Sequence, residues 1–416
     1  MGTLRFLLAM CVVATHSPGS GILGHELLSG ITAVQAFYVI SGFLITMVLN
    51  ERQQYRNASS FYVSRYLRLW PAYIVVVAAT LAFLHARQLQ ELALMRPSTI
   101  LFIGFSNLSL FFQDWFFLLR FDAGYLVPTA HWIADPAPHP PDFLIVPQSW
   151  TIGVELTFYL IAPFTCRSVR GTAALFLFGL ATRLCLGAFV MPGLDPWFYR
   201  FAPAEMMLFA SGGLGYFAGR AIRKRVPPER FTMSGGIALA ILAVVIVANP
   251  TTLGWWLRIF PGYMESLYLG NAAILLAVAL ASPHLFYAFR NVRFDSFLGE
   301  LSYPMYLSHV LVGGILLRLH LPAWLTHGNL FYVGATLVAS TLLVMFIVIP
   351  VDRWRSRFGA RVPTISMAGR EPSENANGSP APQTPAAQAG YAHRVERCPP
   401  PAACSDAIGF NRWPGG

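Results

Sequence analysis

The chain has 416 residues, 55% of them hydrophobic and 12% charged, with a mean hydropathy of +0.54, whereas a soluble domain carries about 25% charged residues. That arithmetic argues against a soluble globular protein, and the apolar residues fall into repeated blocks of near bilayer-spanning length over nearly everything before residue 360. The net charge of +10 rests on arginine, with Lys224 the only lysine among 29 basic residues; they cluster between apolar blocks, as at Arg220, Arg223, Lys224, Arg225 and Arg230. This is the pattern of cytoplasmic loops, and no folded basic module is left to bind nucleic acid.

Hydropathy predicts ten spans, near residues 4–18, 31–50, 70–86, 149–166, 172–190, 202–219, 232–248, 263–281, 298–318 and 330–349, with both termini on one side. The first opens with Arg5 and a short apolar run, which is also how a secretory signal peptide begins. The next block follows a short Gly/Ser stretch and starts at residue 31, so a retained first helix is expected. With a cytoplasmic N-terminus, the inside segments up to residue 370 hold 19 Lys and Arg and the outside segments 6, the asymmetry that the positive-inside rule requires.

Polar residues at bilayer depth carry the information. Arg5 and His16 are eleven residues apart in the first span, about three full turns, so they share one face with an axial separation of about 16 Å. Such a pair could grip an anionic group at one level and do chemistry at another; an orientation signal and a satisfied polar group explain it equally well. At the mouth of the third span, Arg65 and Arg68 share a helical face and suit bidentate capture of phosphates, or else serve as positive-inside decoration.

Residues 99–119 are long enough to cross, but Asn107, Gln113 and Asp114 interrupt them and a Pro-rich loop follows. A re-entrant or interfacial segment is expected there. Glu155 lies one and a half turns inside the otherwise apolar fourth span and needs a partner: His16, a substrate hydroxyl, or Arg183 in an ion pair. The five cysteines show no disulfide framework and no zinc spacing, so no metal site is expected. From about residue 361 the composition turns to Pro, Ala, Ser and Gln, predicting a disordered cytoplasmic tail over 361–416. The expected fold is an all-α polytopic integral membrane protein of about ten transmembrane helices, with residues 1–360 as the membrane domain.

Five motifs then coincide in order: "LRFLLAMCVVATH" with its Arg-ten-residues-His spacing, "AVQAFYVISGFLITMVLN", the Arg-x-x-Arg segment "FYVSRYLRLWPAY", the Trp/Glu helix "SWTIGVELTFYLIAP", and "LGELSYPMYLSH". Together they resemble membrane-bound acyltransferase family 3, which O-acylates bacterial cell-surface glycans, over residues 3 to 352. The chain departs from that pattern in starting close to the first motif and in lacking an appended extracytoplasmic esterase-like domain, so a stand-alone membrane domain is expected.

The resemblance implies a multi-pass inner-membrane enzyme that moves an acyl group, usually acetyl, from cytoplasmic acyl-CoA to a hydroxyl of an extracytoplasmic carbohydrate such as exopolysaccharide or O-antigen. It implies CoA phosphates held by Arg5, Arg65 and Arg68. His16 becomes the general base or a transient acyl carrier, with Glu155 orienting its ring. Weaker candidates are Ser149 and Trp150, placed to line an acceptor mouth, and Ser302, Tyr303 and His309 on the ninth span. Glu205 is an intramembrane carboxylate with no assigned role, and Gly212, Gly213 and Gly215 read as close helix packing. Acyl-CoA is the donor substrate, no bound cofactor is expected, the bilayer and the carbohydrate are the partners, and the oligomeric state stays open. The rival reading is a secondary transporter exporting a glycan or lipid-linked precursor, with Arg5, His16 and Glu155 as its relay.

Overall fold

A computed structural model describes residues 1–17, 21–25, 27–83, 90–189, 195–248, 263–322 and 327–359, an assembly of helices with one β-hairpin. The helices are α1 (Gly2–Thr15), α2 (Gly30–Glu51), α3 (Ala58–Phe83), α4 (Pro97–Ser109), α5 (Trp150–Thr165), α6 (Val169–Phe189), α7 (Ala202–Arg223), α8 (Pro228–Val247), α9 (Tyr263–Phe289) and α10 (Arg293–Arg318). Last come α11 (Leu330–Leu343) and α12 (Ile349–Gly359), joined by a π-helical turn over Val344–Val348. The predicted tail lies outside the described residues.

Every predicted span falls on a helix. By length and composition alone six are able to cross a membrane: Gly30–Glu51, Ala58–Phe83, Val169–Phe189, Glu229–Val247, Gly270–Phe289 and Leu330–Trp354. The other four are shorter or more polar: α1 has 14 residues and α5 has 16, while α7 and α10 carry Glu205, Ser302 and His309. The multi-pass membrane character stands on the six; the other four helices fall short of the expected ten by length or polarity. One boundary moves substantially. The third helix starts at Ala58, not 70, because hydropathy passes over a helical run whose serines and arginines make it too polar to read as a span. Arg65 and Arg68 therefore lie within the helix and not at its mouth.

Contacts fix the directions. Asp295, at the start of α10, accepts the N–H groups of Gly2 and Thr3 at 2.8 Å each, capping α1. Burial would raise its carboxyl, but those N–H groups and the Met1 ammonium 3.0 Å away together hold it below the ordinary carboxylate range. At the far end the rings of His16 and His309 lie 5.0 Å apart. Gly2 to His16 and Asp295 to His309 are both fourteen residues, so α1 and α10 run parallel and level. The start of α3 joins them, with Arg68 against Glu300 and the Tyr303 hydroxyl donating to the Leu69 carbonyl. Returning helices α2 and α5 complete the group, tied together by Ser41 and Glu155.

The segment expected to be re-entrant or interfacial folds back on itself. Helix α4 ends at Leu110 in the left-handed region (φ 68°), after which the chain passes through a 3-10 turn over Asp114–Leu118 into β1 (Leu119–Asp122) and β2 (Tyr125–Pro128). The β-turn between the strands returns beside the start of α4, where Thr99 Oγ1 donates to the Gly124 carbonyl at 2.8 Å. Ala123 (φ 47°) and Gly124 (φ 81°) are both left-handed, the geometry that matches strand twist in a two-residue hairpin. The tip is sealed by a buried polar network. Gln113 donates to the Tyr73 hydroxyl and the Ser106 carbonyl, and Asn107 to the Phe143 carbonyl, so the irregular backbone is satisfied by protein.

Glycines let α2 and α7 meet backbone to backbone. A β-carbon at Gly42 would collide with the Phe209 carbonyl, and one at Gly212 with the Val39 carbonyl. The close-packing reading of the α7 glycines is what the structure shows.

Candidate active site

At the start of α1 and α3 lies a cluster of charge. Arg68 Nη2 is 3.6 Å from Glu300 Oε1, and Arg5 lies within electrostatic reach of Arg68, Glu300 and Glu155, its Nη1 facing Gly299. Arg65 sits over the rings of Tyr55 and Phe61 at 5.8 and 5.7 Å, and its charge reaches Tyr159. Glu155 Oε1 accepts Ser41 Oγ at 2.5 Å and the Tyr159 hydroxyl at 2.6 Å. The structure thus brings Arg5, Arg65, Arg68 and Glu155 together, with Glu300, Ser41 and Tyr159 as members that hydropathy reading passed over. Three guanidinium groups among two carboxylates leave room for a polyanion, and arginine matches phosphate oxygens in bidentate fashion.

Glu155 lies with these arginines and not beside His16. Gln148, just before α5, touches the Tyr306 and Leu307 carbonyls at the histidine end. Seven residues farther, at 1.5 Å each, α5 has moved about 10 Å toward the arginine end. The carboxylate that pairs with Arg183 is Glu205, at 2.6 Å, with Gln35 donating to both Glu205 oxygens at 3.4 Å. That accounts for the unassigned carboxylate of α7. Glu205 is fully buried. Its replacement by leucine should strand Arg183 and cost about 3–5 kcal/mol, and the double change Arg183→Leu with Glu205→Leu should recover part of it. Thermal melts of the wild type and the two variants in detergent check this; equal melting of the single and double changes would show that the pair is not coupled.

At the other end of α1, His16 is exposed and directs Nδ1 to the Val12 carbonyl at 2.9 Å. A carbonyl can only accept, so Nδ1 carries the hydrogen and the neutral ring keeps its lone pair on Nε2, the form of a base. His309, fully buried, makes the same bond to the Tyr306 carbonyl at 2.8 Å.

The weaker candidates sort by their bonds. Ser149 is buried, its hydroxyl donating to the Val146 carbonyl at 2.5 Å and to Gln113, so it ties the start of α5 to the turn after α4. Trp150 is buried against Phe117 and Tyr199, with the Arg200 guanidinium 4.5 Å over its ring. Ser302 donates to the Gly299 carbonyl at 2.7 Å within its own helix, and Tyr303 links α10 to α3.

Comparison with known proteins bears on this arrangement. The family described as "Acyltransferase domain" matches residues 2–349. The chain is 24% identical over 352 residues to the exopolysaccharide production protein ExoZ of Rhizobium meliloti, an overlap of 83% of this chain and 96% of that protein. It is 30% identical over 171 residues to the peptidoglycan O-acetyltransferase OatA of Listeria monocytogenes, covering 38% of this chain and 22% of that one. No solved structure matches.

Proposed function

Because the chain belongs to the acyltransferase domain family matched over residues 2–349, we propose that it carries an acyl group, acetyl in the simplest case, from acyl-CoA on one side of the membrane to a polysaccharide hydroxyl on the other. The names of ExoZ, an exopolysaccharide production protein, and OatA, a peptidoglycan O-acetyltransferase, support a surface-glycan acceptor. One observation carries the reading: a single helix, α1, bears Arg5 in the charged cluster and His16 as an exposed base at its other end. Arg5, Arg65 and Arg68 take the CoA phosphates, and the thioester reaches up to His16. The arginine-rich loops support an inner-membrane orientation with the arginine end and the termini cytoplasmic, in which the acceptor approaches from outside.

In the reaction, His16 Nε2 removes the acceptor's hydroxyl proton as the oxygen attacks the thioester carbonyl. Collapse of the tetrahedral adduct breaks the carbon–sulfur bond, and the departing thiolate takes the proton back from the imidazolium. Glu155 and Glu300 act at the donor end, fixing the guanidinium groups through Arg68 and the Ser41 and Tyr159 hydroxyls.

The test is alkali-labile acetate on exported and envelope glycans from cells lacking the gene, with and without a wild-type copy. Acetate should disappear with the gene and return with the copy. Acetate unchanged by deletion would remove the acetyl-transfer reading.

A further inference from the structure

Arg200 stands at the histidine end in a box of aromatic rings. It closes the turn over residues 195–200 that leads into α7, and its guanidinium carbon lies 4.1 Å from the centre of the Phe117 ring, 4.5 Å from Trp150 and 5.2 Å from Tyr199. Its Nε donates to both oxygens of Asp195 at 2.9 Å each, which fixes the side chain. The turn is itself anchored, since Trp197 Nε1 donates to the Ala130 carbonyl at 3.0 Å. Trp150 opens α5 next to Thr151, whose hydroxyl meets that of Tyr306 at 2.7 Å; the Tyr306 and His309 rings are 6.0 Å apart, and His309 is 5.0 Å from His16. Arg200 also lies within electrostatic reach of Tyr306.

A guanidinium carries five N–H donors and no acceptor. Asp195 takes the one on Nε, and neither Nη1 nor Nη2 makes a hydrogen bond among the described residues. The side chain keeps 19% of its surface exposed and neither Nη is a buried atom, so this edge faces accessible space. Glu205, whose charge reaches Tyr199, is already taken by Arg183 at 2.6 Å. What completes such an edge is a group that accepts two parallel hydrogen bonds in the guanidinium plane. A carboxylate does so in bidentate fashion, and a sugar hydroxyl fills only one of the two places. The rings packed around Arg200 exclude water from it, which strengthens a partner bound there.

We propose that Arg200 binds a carboxylate of the acceptor glycan, the acid group of a uronic acid or comparable sugar, so that the enzyme selects acidic polysaccharides. The contacts that lead from Arg200 to His16 pass through Trp150, Thr151, Tyr306 and His309, so the carboxylate belongs to a unit flanking the one whose hydroxyl reaches His16. The inference rests on the acyl-transfer reading and adds the class of acceptor and the residue that reads it.

The assay uses purified protein in nanodiscs, acetyl-labelled acetyl-CoA, and the host cell's exported and envelope polysaccharide stripped of its acetyl esters, either as it is or with its carboxyl groups reduced to primary alcohols. Wild type should serve the reduced polymer with a kcat/KM about ten- to a hundredfold lower, the size of a charge-assisted hydrogen bond, with the KM for acetyl-CoA unmoved. Arg200→Gln should lower kcat/KM for the unreduced polymer by a similar factor and treat the two polymers alike. An Arg200 that only holds the aromatic cluster together would, when replaced, lower transfer to both polymers equally and leave the preference for carboxylate intact, which overturns the assignment. The comparison of polymers on the wild type needs no variant to fold. If wild type serves both equally, or acetylates a polymer that carries no carboxyl group as well as one that does, carboxylate recognition is wrong while acyl transfer still stands. A wild type that transfers acetyl to neither polymer removes the acyl-transfer reading itself, and the inference with it.

Discussion

His16→Ala is expected to lower acyl transfer by about 10²–10⁴-fold at matched membrane levels, the range contributed by a positioned base. No substitute is at hand. His309 is fully buried with Nδ1 committed to Tyr306, and Glu155 is engaged by Ser41 and Tyr159 nearer the arginine end. The loss should fall on kcat, with the KM for acetyl-CoA little changed, because the proposed donor site around Arg5 lies about 16 Å away along α1. Folding should survive, since His16 is the exposed residue that ends α1 and its ring bonds only to its own helix. Restored glycan acetylation by His16→Ala in cells lacking the gene would remove His16 from the chemistry; a raised donor KM with kcat intact would move it to donor binding.

Gly212→Leu should leave almost no folded protein. The added side chain meets the Val39 carbonyl, a backbone atom with no rotamer to change, and α2 and α7 would have to separate along the seam that also holds Gly42 against Phe209. Overfilling a well-packed core costs about 1–3 kcal/mol even where side chains can adjust. Here they cannot, and the shift would also pull Gln35 from Glu205. Gly236→Leu, at an exposed site with open space around it, is the control and should behave as wild type. Size-exclusion profiles of the two variants as fluorescent fusions separate the outcomes: a monodisperse Gly212→Leu would show that the contact between these helices is dispensable.

Much of this was legible because the membrane makes polarity expensive. Arg5, His16, Arg65, Arg68 and Glu155 stood out against apolar surroundings, and the structure gathers the three arginines and Glu155 in one cluster. The break after α4 was legible from Asn107, Gln113 and Asp114 for the same reason. Pairing was not legible. Glu155 lies five residues into α5 from Trp150, and which level of the bundle that reaches depends on where α5 starts relative to α10, a tertiary fact carried by Gln148 and Tyr306. Likewise, Arg183 had two carboxylates to choose from, and only the approach of α6 to α7 selects Glu205. Glu300 escaped notice because it sits near a helix start, where an acidic residue is ordinary, and the hairpin was hidden because Ala123 gives little sign of a left-handed turn.

Between Arg5 and His16, α1 carries Leu8, Ala9, Cys11, Val12, Val13 and Ala14, all buried. An enzyme that draws its donor from one face of a membrane and serves an acceptor on the other runs the risk of short-circuiting the cell, since any wet path for a substrate is a path for protons down the membrane potential. This apolar sleeve is insulation. In the proposed reaction it denies water the hydrogen-bonding partners of a continuous wire beside α1, so that two aqueous compartments share a reaction without sharing their ions.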